Sequence, residues 1–372
     1  MNQRQDPPAF LHPTHPSSFR LHPYLLAVLL VCGFRALADE PAVKYPEHQD
    51  LLYSLDAQGN RQPVRTVEDW EIRRRHILAN MQTVMGALPG ESQRAPLNVR
   101  QVEEQAVGAL TRRKLVYQTE PGDEVSAWLF LPAAREKKVP AILCLHQTNA
   151  IGKDEPAGLG GNSNLHYALH LAERGYVTLA PDYPSFGEHK YDFDKDDYIS
   201  GTMKAVFDNM RAIDLLASLP QVDGARIGCI GHSLGGHNTM FTAAFDPRIK
   251  VLVSNCGFTR FHKYYGGKLA GWTSTRYMPL IASRHGNDPD QVPFDFTEIV
   301  GLFAPRPFLA SAPVKDSNFE VSGVKDVIEA ARPIYRLYGK EENLQANYPD
   351  VAHDFPPAVR ATAYEFFDKH LK

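Results

Sequence analysis

The spacing of apolar residues changes character along the chain. In "TVEDWEIRRRHILANMQTVMGALPG" (66 to 90), Trp70, Ile77, Met81, Val84 and Leu88 recur at helical spacing and the pattern stops at Pro89-Gly90. This predicts an amphipathic helix docked on a larger body. Two alternating stretches, 112 to 120 and 124 to 132, flank Pro-Gly-Asp and predict a hairpin of antiparallel strands. Beyond them the runs become almost continuously apolar: "VPAILCLH" (139 to 146), "YVTLAPD" (176 to 182), "RIGCIGH" (226 to 232), "KVLVSNCG" (250 to 257) and "RPFLASAP" (306 to 313). Strands buried on both faces have this composition. Between them, 165 to 175, 202 to 220 (stripe Val206, Met210, Ile213, Ala217) and 235 to 245 read as helices. A last strand at 344 to 348 and a helix from 358 complete the pattern. Strands alternating with helices predict an α/β domain: a mostly parallel central sheet with helices on both faces. No internal repeat interrupts it.

The N-terminus reads differently. Arg20 and His22 precede the apolar run Tyr24 to Phe34, and Ala36-Leu37-Ala38 follows. Eleven residues are too few to cross a bilayer, and A-x-A suits a signal peptidase, so 1–38 is expected to be a signal peptide cleaved after Ala38. The alternatives are a retained anchor and an internal start, since the polar lead before Arg20 is long. Val31 before Cys32 is bulkier than a lipoprotein site wants. The expected organisation is therefore 1–38 leader, 39–100 N-terminal helical extension and 101–372 catalytic domain, in an exported protein with no stable membrane span after processing.

Composition narrows the function classes. A net charge of −3 over 372 residues offers no basic field for nucleic acid. After the leader, Cys144, Cys229 and Cys256 sit in apolar runs, which reads as buried thiols and not as a disulfide framework. No C-x-x-C pair occurs, and His166 and His170 lack the glutamate of H-E-x-x-H, so no metal site is expected. The glycines of 152 to 162 are followed by no Lys-Ser/Thr pair, which argues against a phosphate or dinucleotide cofactor and for a flexible loop beside a site. No cofactor is expected, and the oligomeric state is not legible.

Gly231-His232-Ser233-Leu234-Gly235 lies between a buried strand and a helix, the setting a G-x-S-x-G nucleophile elbow requires. A serine hydroxyl needs a base, itself oriented by an acid. Of the downstream histidines, His353 stands in a loop after the last strand and before the last helix and is the expected base; His237 and His370 read as structural or exposed. Asp316, just past a strand end, is the expected acid, with Glu320 the alternative and an Asx turn the plainer role for Asp316. The oxyanion donors are expected to be the N–H groups of Leu234 and of Thr148, or Gln147 in its place, in the loop after "AILCLH". His146, Gln147, Tyr183, His232 and Trp272 are expected to touch substrate. The pocket is expected to be shaped by the excursion from 256 to 300, with Phe261, Tyr264, Tyr265, Trp272 and Tyr277, and by 182 to 198. Aromatics there either stack on sugar rings or pack the insertion onto the body.

"AILCLHQTN", "GYVTLAPDYPSFGE", "DNMRAIDLLASLPQVDGARIGCIGHSLGGHN", "FAPRPFLASAPVKDSNFE" and "HDFPP" resemble the α/β-hydrolase superfamily, and within it the secreted bacterial acetyl xylan esterase and dienelactone-hydrolase-like branch. The resemblance spans most of 60 to 372. It implies a serine hydrolase of carboxylic esters, acting through an acyl-enzyme on short acyl (acetyl) groups of a small-molecule or carbohydrate ester. Two departures matter: His146-Gln147 replaces the usual His-Gly step, and Ser233 stands where dienelactone hydrolases carry cysteine. The alternatives are a peptidase of the prolyl-oligopeptidase kind, which would want a propeller that about 60 preceding residues cannot form, and a non-catalytic binding protein on the same fold.

Overall fold

A computed structural model describes residues 42–133, 137–194 and 198–372; the expected leader, 1–38, lies outside these. The strands and helices, in chain order, are β1 (Tyr53–Leu55), β2 (Arg61–Pro63), α1 (Val67–Met85), β3 (Arg100–Val107), β4 (Leu110–Glu120), β5 (Asp123–Leu131), β6 (Val139–Leu145), α2 (Tyr167–Glu173), β7 (Val177–Pro181), α3 (Gly201–Ser218), β8 (Val222–His232), α4 (Leu234–Phe245), β9 (Ile249–Asn255), α5 (Leu280–Ser283), α6 (Phe296–Gly301), β10 (Phe308–Ser311), α7 (Val321–Leu337), β11 (Leu344–Asn347) and α8 (Pro357–Leu371).

Among the described residues nine strands form one sheet in the order β11-β10-β9-β8-β6-β7-β5-β4-β3. β6 to β11 run parallel, while β5, β4 and β3 continue the sheet as an antiparallel meander. Side chains of each strand alternate between two cores. Leu143 and Leu145 of β6 join Val206, Ile213, Met240, Val324 and Val327 beneath α3, α4 and α7. Ile142 and Cys144 face the opposite way, toward α2 and α8, with Leu171, Ala363 and Phe367. This is the expected mostly parallel sheet covered on both faces. Cys144, Cys229 and Cys256 are buried free thiols.

The N-terminal extension joins the first of these cores. α1 starts at Thr66, whose hydroxyl accepts from the N–H of Asp69 while the Thr66 N–H donates to the Asp69 carboxylate, a capping box. Trp70, Ile77, Met81 and Val84 are buried along one stripe and Leu88 packs at its edge. Arg73 reaches from this helix to Glu298 of α6, Nη2 to Oε1 2.7 Å, with both side chains fully buried. Its guanidinium also lies 3.2 Å from the centre of the Tyr45 ring. The extension is not wholly helical, because β1 and β2 form a small hairpin ahead of α1.

Two elements have no counterpart in the pattern read from the sequence, and one stretch departs from expectation. β3 is an edge strand whose residues are almost all exposed; "RQVEEQAV" has no apolar alternation and is held by backbone pairing to β4. α7 buries Val324, Val327, Ile328, Ala331, Ile334 and Tyr335 although Pro333 lies within it. The glycine-rich stretch 152 to 162 is not a flexible loop: Lys153, 1% exposed, bonds Asp182 Oδ2 at 2.7 Å and Glu188 Oε2 at 3.1 Å. Glu155 fastens the same stretch from within, accepting from Asn149 Nδ2 and from the N–H of Asn162.

Candidate active site

The carboxyl end of β8 and the first turn of α4 meet at Ser233, with φ 55° and ψ −119°. A serine in that left-handed region is strained, and the surroundings hold it there. The strand and helix approach so closely that a Cβ on Gly231 would stand 2.1 Å from the backbone carbon of Gly235, and one on Gly235 would stand 1.8 Å from the carbonyl oxygen of Leu145. Both flanking residues must therefore be glycine. Ser233 N–H is tied to the carbonyl of Asn255 at 2.9 Å, which locks the elbow to β9.

His353 lies in the loop between β11 and α8. Its Nδ1 is 2.9 Å from Oδ1 and 2.8 Å from Oδ2 of Asp316, which follows β10. Asp316 is nearly sealed, and its Oδ1 also accepts from the N–H groups of Asn318 and Phe319. The Asx turn and the bond to histidine are thus made by one carboxylate. Burial works to raise its pKa, but the bond from His353, that ring's charge and the two N–H donors outweigh burial and hold Asp316 below the usual carboxylate value. Carboxylates only accept, so Nδ1 carries hydrogen and Nε2 is left as the basic nitrogen of the ring. Glu320 points elsewhere, half exposed beside Ser322 and Lys263.

Ser233, His353, Leu234, Gln147, Thr148, His232 and Trp272 line one cavity of about 340 Å³, together with His237, Tyr264, Gly271, Tyr277, Asn318 and Phe319. No lysine, arginine, aspartate or glutamate stands among these lining residues. Thr148 Oγ1 is 2.8 Å from the hydroxyl of Tyr277, so the loop after β6 is joined to the insertion between β9 and β10. Leu234 N–H opens α4, where the unpaired N–H groups and helix dipole favour negative charge.

Two residues expected at the substrate lie beneath the cavity instead. His146 is buried, with Nδ1 2.7 Å from the carbonyl of Gln147 and its ring 4.1 Å from that of Tyr183. It shapes the 147–148 peptides without lining the cavity. Tyr183 is likewise buried, and no described residue of 182 to 198 lines the cavity; Asp182 and the half-exposed Glu188 pair with Lys153. The aromatic insertion divides: Phe261 packs in the core, Tyr264, Trp272 and Tyr277 form the cavity wall, and Tyr265 is exposed with its hydroxyl donating to Asn318 Oδ1. His237, one turn beyond Ser233, is a wall residue that is also structural. Its ring stacks on Phe241 at 4.0 Å and lies 5.0 Å from Trp272, and burial pushes its pKa down to about 3. Phe319 and Asn318, beside Asp316, also line the cavity and were not anticipated; their place just after Asp316 was the signal available.

The prolyl oligopeptidase family model matches residues 163–372. The protein YtaP of Bacillus subtilis (strain 168) is 27% identical over 261 residues, covering 67% of this chain and 84% of that protein. The carbohydrate esterase MZ0003, from an unknown prokaryotic organism, is 24% identical over 286 residues, 63% of this chain and 66% of its own length. Among solved structures, a glucuronoyl esterase from Solibacter usitatus superposes with a TM-score of 0.67 at 19% identity, covering 90% of this chain and 100% of that one. The shared architecture is the α/β-hydrolase fold. No helix among the described residues is long and apolar enough to cross a membrane.

Proposed function

The chain belongs to the prolyl oligopeptidase family, and from that premise we propose that it is a serine hydrolase of carboxylic esters, acting on short acyl groups, acetyl foremost, carried by a carbohydrate. The observation that carries this reading is the Asp316–His353 pair facing a cavity that also holds Ser233 on a strained elbow. In this reading His353 Nε2 takes the Ser233 proton as Oγ attacks the ester carbonyl, and Asp316 steadies the imidazolium. The N–H groups of Leu234 and of Thr148 or Gln147 hold the oxyanion. His353 then protonates the leaving alcohol, and water releases the acyl group by the same steps in reverse order.

The ester preference is supported by the cavity itself, compact and uncharged at its walls, with Tyr264, Trp272 and Tyr277 offering faces to a ring. The curated relative MZ0003 is a carbohydrate esterase. The family description favours a second reading, a peptidase. Hydrolysis of p-nitrophenyl acetate, butyrate and octanoate and of acetylated xylan by the chain from residue 39, beside Ser233→Ala and a peptide p-nitroanilide, separates them. Acetate turnover abolished in the variant supports the ester reading; preferred cleavage of the anilide sinks it. Residues 1–38 are proposed as an export signal, which N-terminal sequencing of the exported protein tests: a mature chain beginning elsewhere than Asp39 refutes the cleavage site.

A further inference from the structure

His232 precedes the nucleophile and lines the cavity. Its ring centre is 4.7 Å from that of His353, so the two rings stand side by side in the cavity wall. The register partner of His232 is Asn255, the last residue of β9, which is fully buried. Asn255 Nδ2 lies 2.7 Å from His232 Nδ1 and 3.2 Å from the carbonyl oxygen of Asp354. A carbonyl can only accept, and turning the amide would set Oδ1 against it, so the NH₂ end faces both partners. His232 Nδ1 is then an acceptor, and the neutral ring carries its hydrogen on Nε2. Burial, and then the neighbouring His353, push the His232 pKa down to about 3, so the ring stays uncharged at neutral pH. That neutrality has a use: a second cation beside His353 would oppose the imidazolium that catalysis must form.

We propose that His232 is a neutral donor of fixed tautomer whose Nε2–H binds an oxygen of the alcohol part of the substrate, a hydroxyl or ring oxygen beside the scissile ester, and that Asn255 is the positioning residue that fixes it. The substrate class this selects is an ester of a neutral polyhydroxylated alcohol. The inference rests on the ester-hydrolase reading of the cavity. Asn255 holds three parts of the site at once: its carbonyl takes Ser233 N–H, and its amide spans His232 and the residue after His353.

The test compares kcat/KM for an acetylated methyl xyloside with that for p-nitrophenyl acetate, whose phenol has no oxygen next to the ester, in wild type, His232→Gln and His232→Leu. Leucine removes the donor, and the sugar-to-phenyl ratio is expected to fall about tenfold, the effect of one neutral hydrogen bond. Glutamine can place an amide N–H near the same point and should keep the ratio within about threefold of wild type. Equal losses on both esters in His232→Leu overturn the inference while leaving the ester reading intact. A wild type inert on both esters overturns the ester reading, and the substrate role of His232 with it. Nitrogen NMR of the wild-type rings needs no variant to fold: a hydrogen on His232 Nε2 and a bare Nδ1 through the neutral range support the lock, and an Nδ1–H tautomer or a titration near neutrality refutes it.

Discussion

Replacing Glu298 by glutamine should destabilise the molecule far more than a change of one atom suggests. The carboxylate accepts from Arg73 Nη2 at 2.7 Å, from His48 Nδ1 at 2.7 Å and from Asp295 N–H at 3.0 Å, and it is wholly buried. Burial works to raise its pKa, but His48 and Arg73 outweigh burial and keep it below the ordinary value. Glutamine preserves the shape and removes the charge, which leaves the Arg73 guanidinium buried without a counter-ion. With charge centres roughly 4 Å apart and an effective dielectric of about 20, the lost attraction is about 4 kcal/mol. Breaking one side of a buried pair costs about 3–5 kcal/mol in general. With a urea m-value of about 3 kcal/mol/M, the midpoint should fall by roughly 1.3 M. Urea unfolding followed by tryptophan fluorescence reads this directly, since Trp70 lies on the same helix as Arg73. Arg73→Met/Glu298→Met should recover much of the loss, because the penalty belongs to the unpaired charge. A midpoint within about 0.3 M of wild type for Glu298→Gln would refute the reasoning, as would a double variant no more stable than the single.

Four further outcomes are expected. Asp316→Asn should keep the far-ultraviolet circular dichroism of wild type and lose about 10³–10⁴ in kcat on p-nitrophenyl acetate, because the amide no longer selects the Nδ1–H tautomer of His353; a loss under tenfold removes Asp316 from its role. Gly235→Ala places a Cβ 1.8 Å from the Leu145 carbonyl oxygen, so soluble protein should be lost, and a soluble variant with normal fluorophosphonate labelling contradicts the packing described. Trp272→Ala should raise turnover of butyrate relative to acetate while costing about 3–5 kcal/mol by urea unfolding, since the ring is both cavity wall and core; an unchanged acyl preference refutes its place in the wall. Burial lowers the His48 pKa, but Glu298 more than reverses this and holds it above the ordinary histidine value. A raised folded-state pKa contributes stability that is whole below about pH 6.5 and disappears as pH rises through the folded value. The urea midpoint gap between wild type and His48→Gln should therefore be widest near pH 6 and close toward alkaline pH; a gap independent of pH is incompatible with the pairing.

Features set by neighbours in sequence were legible, and features set by distant partners were not. The elbow is recognisable because glycine, serine and glycine stand where a strand ends and a helix begins, and the bond between Asp316 and His353 joins residues whose order and flanking elements already pointed to each other. Lys153 misled because its partners Asp182 and Glu188 lie 29 and 35 residues away. A lysine among glycines reads as a loop until those acids are seen around it. The Arg73–Glu298 pair spans 225 residues and has no local mark at all. β3 was silent because exposed edge strands are held by backbone bonds, which composition does not record. In α7 the repeat Val324, Val327, Ile328, Ala331, Ile334, Tyr335 was present, but Pro333 argues against a helix interior. His146 and Tyr183 were assigned to the substrate for standing near the right strand ends; their rings turn to each other below the loop.

The two walls of the cavity have different pedigrees. One is made by the ends of β6 and β8, by the start of α4 and by the loops after β10 and β11, which carry every residue of the proposed acyl transfer. The other hangs between β9 and β10, pinned into the core by Phe261 ahead of its middle and by Phe294 and Phe296 behind, with Tyr264, Trp272 and Tyr277 in the span between those pins. The span is seated along its length as well, because Leu269, Trp272, Met278 and Ile281 are buried in the same core. Exchange of residues 262 to 293 between relatives would therefore replace part of the core and the Tyr277 hydroxyl that meets Thr148, so a change in this wall reaches the loop after β6 as well.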